Sequence, residues 1–317
     1  MLPDYSFEHN PVLFEECLDA LNIRKDGFYV DCTAGGGGHS LGILNQLGDN
    51  GRVLSLDKDD AALEHCKTIR EQKGLNNKWI IVKSDFAEIV EILKEIKIQQ
   101  VDGVLADLGV SSYQLDTAER GFSYTKNGPL DMRMDMKSPL TAAELVNTYD
   151  EAELVRIFRL YGEERYSGRI VKAILKQREQ NNIQTTEELS SIILRALPAK
   201  ARNEAQHPAR RVFQAIRICV NRELDAVEKL LSDVPDLLKK KGRFAVISFH
   251  SLEDRLVKEH FKNLASPCIC PREFPVCVCG REPLGKMLTG KAIIASEKEC
   301  KENNRARSAR LRVFERS

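Results

Sequence analysis

Phe28–Ser40 reads FYVDCTAGGGGHS, and the order of its parts decides the fold. An apolar run, Phe28-Tyr29-Val30, leads into Asp31. Four glycines follow, Gly35 to Gly38, and His39-Ser40 opens a helix-like segment. This is strand, glycine-rich turn, helix. Glycine has no Cβ, so such a turn bends tightly and lets its backbone lie against a ligand. The first turn of a helix adds unpaired N–H groups that favour an electron-rich partner. A nucleotide-like cofactor is the natural occupant. The competing reading is a plain flexible loop, because the stretch misses the G-x-G-x-x-G register and lacks the Lys-Ser/Thr of a P-loop.

Working outward, strands and helices alternate. Arg52–Leu56 reads as a second strand ending at Asp57, and Ala61–Lys73 as a helix. Trp79–Val82 is a third strand followed by Ser84-Asp85-Phe86. Ala87–Lys97 is a helix, and Val101–Leu108 is a fourth strand with Asp107 near its end. Alternation of this kind predicts right-handed βαβ units and a parallel sheet covered on both faces. Ligands of such sheets bind beyond the carboxyl ends of the strands. The glycine turn, Asp57, Asp85-Phe86 and Asp107 all fall on that rim.

After the fourth strand the alternation stops. A loop rich in Gly, Asp and Arg (114–135) precedes helical stretches at Thr141–Tyr149, with Thr141 as N-cap, and at Glu151–Tyr161, Arg165–Glu179 and Thr186–Ala196. One helix is expected over Val212–Leu231 and a strong strand over Arg243–Phe249. A helix follows from His250 to about Leu264, and Lys291–Ala295 with Ala309–Glu315 is expected as a final antiparallel pair.

The chain has 317 residues, 42% hydrophobic and 30% charged, enough for a substantial core. No apolar run approaches the ~20 residues that span a bilayer. The first ten residues carry acids and no apolar h-region, so no signal peptide is expected, and a cytoplasmic, reducing location follows. The net charge of +1 hides an asymmetry: residues 1–110 hold 11 Lys and Arg against 19 Asp and Glu. Residues 200–222 and 301–317 are basic. Basic clusters on a near-neutral protein suggest a polyanion at one face, against the plainer reading of a solvated surface.

Asp57, at the end of the second strand, suits ribose hydroxyls; capping the next helix is the alternative. Phe86 suits packing an adenine face. The segment after Asp107 has neither His nor Tyr-x-x-x-Lys, as hydride transfer at that rim would need. An acidic group there suits a cation or an amine, which favours S-adenosylmethionine.

Longer blocks sharpen this. They are HNPVL (9–13), DCTAGGGGHS (31–40), DGVLADLGVSSYQLDTAERGFSY (102–124), GPLDMRMD (128–135), YGEERYSGRI (161–170), HPARRVFQAIRICVNREL (207–224), SFHSLEDR (248–255) and NRARSARLR (304–312). In these blocks the chain resembles the bacterial MraW-type ribosomal RNA small subunit methyltransferases, which methylate cytosine N4 in the decoding region of 16S rRNA. The resemblance runs from residue 9 to residue 312. It implies S-adenosylmethionine contacts at Gly37, Gly38, His39, Asp57, Phe86, Asp107 and Gln114; His39 and Gln114 come from the resemblance alone.

The expected fold is α/β: a Rossmann-like S-adenosylmethionine-dependent methyltransferase sheet with an inserted all-helical domain. Residues 1–112 and 206–317 would form the discontinuous cofactor domain, and 113–205 the helical insertion that meets RNA. Methyl transfer to an exocyclic amine is an in-line displacement, so alignment dominates and an acceptor on the amine helps. Asp107 is the candidate acceptor, with Ser111 and Ser112 positioning the base. No Cys stands directly after the fourth strand, as C5 methylation would require; Pro267-Cys268 lies far downstream. Arg210, Arg211, Arg217 and Asn221, near one helical face, are candidate RNA contacts, with Arg305 and Arg307 further along the chain. His250 and Glu253 are candidates for shaping the pocket. Expected partners are 16S rRNA or the small ribosomal subunit and a second copy of the chain, and no membrane. The alternatives are an RNA-binding protein with a relic cofactor pocket, and a nicotinamide-dependent oxidoreductase on the same kind of sheet.

Cys268, Cys270, Cys277 and Cys279 form C-x-C, six residues, C-x-C. Four thiols in twelve residues suggest a structural tetrahedral zinc site, although the gap within each pair is shorter than usual. The resemblance does not itself imply a metal. Cys17, Cys32, Cys66 and Cys219 read as core thiols.

Overall fold

Seven strands form one sheet in the computed structural model, which describes residues 11–202, 206–271, 273, 274, 276 and 278–317. They are β1 (Phe28–Asp31), β2 (Arg52–Asp57), β3 (Trp79–Lys83), β4 (Val101–Asp107), β5 (Leu238–Ser248), β6 (Gly285–Met287) and β7 (Arg310–Arg316). Their order is β3-β2-β1-β4-β5-β7-β6. The first five pair in parallel, and β7 runs antiparallel to both β5 and β6. Parallel neighbours need crossovers. The helices Gly38–Gln46, Asp60–Gln72 and Ile89–Glu95 supply the first three.

Period-two alternation sorts the strand side chains to two faces. Tyr29, Val53, Leu105 and Ile247 pack with Leu18 and Ile43 on one side. Val30, Leu54, Val104 and Val246 pack with Leu230 and Phe261 on the other. Both faces are buried, as near-continuous apolar strands require. The order reverses between β1 and β4, so the crevice for a ligand lies beyond their carboxyl ends. The antiparallel β7 between β5 and β6 departs from the 3-2-1-4-5-6 order of dinucleotide-binding sheets.

Two compact units divide the chain. Pro11–Gly109 and Leu224–Ser317 build the sheet unit, and Val110–Glu223 the helical one. The helical unit buries Leu145, Leu154, Phe158, Ile174, Ile193 and Phe213 in a core of its own. Its helices start at side-chain caps. Thr141 and Thr185 form capping boxes with Glu144 and Glu188, and Asp150 accepts from the Glu153 N–H. No helix among the described residues is long and apolar enough to cross a membrane.

Several expectations need correction. The single helix over 212–231 is two, Arg210–Asn221 and Glu223–Leu237, because Arg222 adopts a left-handed conformation at φ 50°. The unit boundary lies at this break, not at 205/206, since Val212, Phe213 and Ile216 pack into the helical core. β5 starts at Leu238, five residues before the expected Arg243; its KKKG opening carries no apolar signal. β7 pairs with β5 and β6, and residue 293 contributes only an isolated bridge to Leu311. The expected loop after Ser111 contains a short helix, Ser112–Asp116.

Candidate cofactor and catalytic site

The turn that follows β1 is tied to the ends of β2 and β4. The Cys32 N–H donates to Leu105 O and the Ala34 N–H to Leu56 O, each at 2.8 Å. The Gly35 N–H donates to Asp57 Oδ2 at 2.8 Å, and the Asp107 N–H to Thr33 Oγ1 at 2.8 Å. Gly35 and Gly37 have φ of 47° and 77°, conformations that side chains resist. A Cβ on Gly37 would stand 3.0 Å from the Trp79 ring, and one on Gly38 would stand 2.3 Å from Pro11 Cγ. Gly37 caps the Gly38–Gln46 helix without a side-chain hydrogen bond. The first N–H groups of that helix therefore need another acceptor.

Beneath the turn lies a buried polar chain. Trp79 Nε1 and the Ser55 hydroxyl are 2.7 Å apart, the Ser55 and Ser40 hydroxyls 2.7 Å, and Ser40 Oγ and Asp31 Oδ2 2.6 Å. The indole only donates, and each hydroxyl has one hydrogen. With Asp31 as carboxylate the direction is fixed: Trp79 to Ser55, Ser55 to Ser40, Ser40 to Asp31. Burial raises the Asp31 carboxyl to about 6 against the Ser40 and Thr33 hydrogen bonds.

Asp57 does not cap a helix. Its Oδ1 accepts from the Asp59 N–H at 2.9 Å, and Asp59 is the N-cap of Asp60–Gln72. The Asp57 carboxylate braces the glycine turn, and burial raises its pKa. Asp85 accepts from the Ala87 N–H and pairs with Lys58 at 3.0 Å. Lys58 Nζ also sits 5.8 Å from the centre of the half-buried Phe86 ring.

Asp107 ends β4. Its Oδ1 is buried and has no hydrogen-bond partner among the described residues. Burial raises its carboxyl to about 7; Arg305 opposes this, while Asp31 and Glu253 add to it. His39 Nε2 lies 3.9 Å from Asp107 Oδ2. Burial lowers the imidazole to about 4, so at neutral pH this pair is a neutral ring beside a half-ionised acid. A carboxyl oxygen left without a donor is costly. It fits a ligand bearing a cation or an N–H.

Other expected residues have structural duties. The His250 ring accepts from the Glu253 N–H and the Glu253 carboxylate accepts from the His250 N–H, each at 3.4 Å, a capping box for Ser251–Ala265; the same carboxylate also accepts from Phe249 N–H at 2.9 Å. Arg312 pairs with Asp254 at 2.7 Å. Arg307 is exposed and donates to Cys300 O at 3.3 Å. Arg305 stacks over Phe249, 5.7 Å from its ring centre, and acts electrostatically on Asp107.

In the helical unit, Ser111 and Gln114 form a capping box: the Ser111 hydroxyl accepts from the Gln114 N–H, and Gln114 Oε1 accepts from the Ser111 N–H. Both polar groups expected at the site are used in that cap, and Ser112 opens the same helix. Arg217 makes a bidentate pair with Glu223, 2.8 Å at each contact. The Asn221 amide donates to Met132 O and Arg217 O and accepts from Met134 N–H. These bonds occupy the Arg217 and Asn221 side chains within the helical unit. Arg210 and Arg211 instead line a cavity with Glu164, Tyr166 and His207, and the Arg210 Nε has no partner among the described residues.

Asp31 and the approach of Arg305 to Asp107 are the additions. Asp31 carried the signal that picked out Asp57 and Asp107, an acid ending an apolar strand. Nothing in spacing brings Arg305 back to β4, because β7 and its pairing do so. Of the four clustered cysteines, Cys277 lies outside the described residues. Cys268, Cys270 and Cys279 come together, far in sequence from the strand-end rim residues.

The family model described as "MraW methylase family" matches residues 6–317. The Ribosomal RNA small subunit methyltransferase H of Clostridium botulinum (strain Loch Maree / Type A3) is 51% identical over 307 residues, 97% of this chain and 98% of its own. That of Carboxydothermus hydrogenoformans is 51% identical over 310 residues, 98% of each chain. That of Brevibacillus brevis is 48% identical over 311 residues, 98% of each chain. The chain belongs to the MraW methylase family.

Proposed function

We propose that the chain is an S-adenosylmethionine-dependent methyltransferase acting on the N4 amine of a cytosine in the decoding region of small-subunit ribosomal RNA. The observation that carries the reading is the unsatisfied, buried Asp107 oxygen at the switch point of the sheet, beside a glycine turn that leaves a helix N-terminus open. Bound S-adenosylmethionine supplies a methyl group on a positively charged sulfur. Asp57 accepts ribose hydrogens, the first N–H groups after Gly37 take the amino-acid carboxylate, and Phe86 packs the adenine. Asp107 accepts from an amine at the rim. Its pKa near 7 keeps it ready to ionise when a cation arrives and to receive a proton from the methylated amine. His39, neutral at working pH, bounds that carboxylate without competing as a charge.

Arg210 and Arg211 offer phosphate contacts, and the target base leaves its stack to reach the methyl group. The reading carries with it a cytoplasmic location and ribosomal RNA or the small subunit as partner. The antiparallel β7 and the lack of a His or a Tyr-x-x-x-Lys in the segment after Asp107 disfavour hydride transfer. Incubation with methyl-labelled S-adenosylmethionine and small subunits, then digestion to nucleosides, tests the reading. Label should appear in N4-methylcytidine. Binding of RNA without label in cytidine would support a relic pocket, and label at C5 would replace the chemistry.

A further inference from the structure

Residues 266–284 leave the helix Ser251–Ala265 and return to the sheet at β6. This segment has almost no core. Among its described residues Ile269, Phe274, Val276 and Val278 are 52–72% exposed, while Leu284 at its end packs against the sheet core. Apolar burial therefore contributes little to the described part of this loop before Leu284. What does converge is sulfur: the thiols of Cys268, Cys270 and Cys279 all lie within 4.8 Å of one another.

We infer that Cys268, Cys270 and Cys279 bind a structural zinc ion that orders the 266–284 loop, a site separate from methyl transfer. A tetrahedral ion with Zn–S bonds of about 2.3 Å sets its ligand sulfurs about 3.8 Å apart. Cys268 and Cys279 Sγ are 3.9 Å apart. A disulfide would need about 2.05 Å, so this pair has the spacing of co-ligands and not of a bond. The widest separation has to close by only about 1 Å to meet the same edge. The Val278 N–H donates to Cys270 Sγ at 3.4 Å, an interaction that strengthens when the sulfur is a thiolate. Each ligand thiol loses its proton to solvent as the metal binds, and no electron is transferred because zinc is redox-inert. Zinc is preferred over harder cations because the donors are soft sulfur. The fourth cysteine of the stretch, Cys277, adjoins these residues in sequence.

The full-length protein, reconstituted with zinc and dialysed against metal-free buffer, should retain about one zinc per chain by mass spectrometry of the metal. Cobalt substitution should give the near-ultraviolet thiolate charge-transfer band and the intense visible bands of a tetrahedral site. Cys268→Ser and Cys279→Ser should each lower bound zinc at least roughly tenfold, while Cys300→Ser keeps it. Chelation should speed amide exchange within 266–284 and leave the β-sheet amides unchanged. A wild-type chain that retains no zinc and gives no cobalt–thiolate band overturns the assignment. So does undiminished zinc in the triple Cys268→Ser, Cys270→Ser, Cys279→Ser variant. These readouts do not depend on methyl transfer.

Discussion

Gly37 shows how one residue can be fixed by two demands at once. Its φ of 77° costs any side chain, and its missing Cβ leaves room for Trp79 at 3.0 Å and Cys66 Sγ at 3.2 Å. Gly35 faces the first demand only: its φ is 47°, and the nearest atom to an added Cβ is 3.9 Å away. The Trp79 ring that would have to move is the donor at the head of the chain to Ser55, Ser40 and Asp31. Gly35→Ala is therefore expected to cost about 1 kcal/mol of backbone strain. Gly37→Ala adds the displaced indole and its hydrogen bond, for roughly 2–4 kcal/mol in all. Urea unfolding of the two variants measures the difference, and equal losses would show that Trp79 is not held by this chain. On the proposed function, in which Gly37 opens the helix that meets the cofactor, cofactor affinity should follow the same order.

Among elements, the strands were legible and the joints were not. β1 to β4 announce themselves as short apolar runs ending in acids or polar turns, and each lies within a residue or two of its expected place. The break at Arg222 is invisible to periodicity, because apolar residues continue at helical spacing through Val220, Leu224 and Val227. What breaks the helix is tertiary: Asn221 clamps the backbone of Met132 and Met134, and Glu223 holds Arg217 in a bidentate pair. The same contacts give two side chains of the basic helical face partners within the chain. The spacing of Arg217 predicts a phosphate contact, and its partner Glu223, 6% exposed, draws on the same charge. At the cofactor rim the acids were readable because strand ends are set by local pattern; Asp59's capping role at a neighbouring position was not, because it depends on hydrogen-bond direction. The two arginines of the helix Arg210–Asn221 should then behave differently. Arg217→Ala strands a nearly buried carboxylate and should destabilise by about 3 kcal/mol. Arg210→Ala should leave stability within about 0.5 kcal/mol. It should instead weaken RNA binding and lower the slope of log affinity against log salt by about 1. Paired unfolding and salt-titration experiments decide this. A lowered salt slope in Arg217→Ala with unchanged stability would return that residue to the RNA face.

At the scale of the molecule, the sheet brings three acids from three strands to one rim, and burial gives all three raised pKa values. Asp31 is held near 6 and Asp107 near 7, with Asp57 shifted the same way. Their ordinary values lie near 4. Between the unfolded and folded values the native state holds more protons than the unfolded chain. The stability these three acids contribute to the ligand-free protein should therefore fall as pH rises from about 4 to about 7 and level off above that, offset in part by His39, whose lowered value makes its contribution rise with pH over the same range. This is the reverse of the usual ion-paired carboxylate. The arrangement makes sense if the rim is completed by a cation, because a positive ligand stabilises the ionised acids and expels their protons. Affinity for S-adenosylmethionine should then climb with pH. For an ionised Asp107 with a ligand-free pKa near 7, the dissociation constant falls about tenfold between pH 6 and pH 8 and little beyond. Calorimetry at pH 7 in phosphate and in Tris should differ by the release of about half a proton per ligand. S-Adenosylhomocysteine, which lacks the sulfonium charge, should show a shallower dependence. A dissociation constant that stays flat from pH 6 to pH 8 would mean the rim carboxylates do not meet the cofactor's charge, and Asp107 would lose its assigned part in holding it.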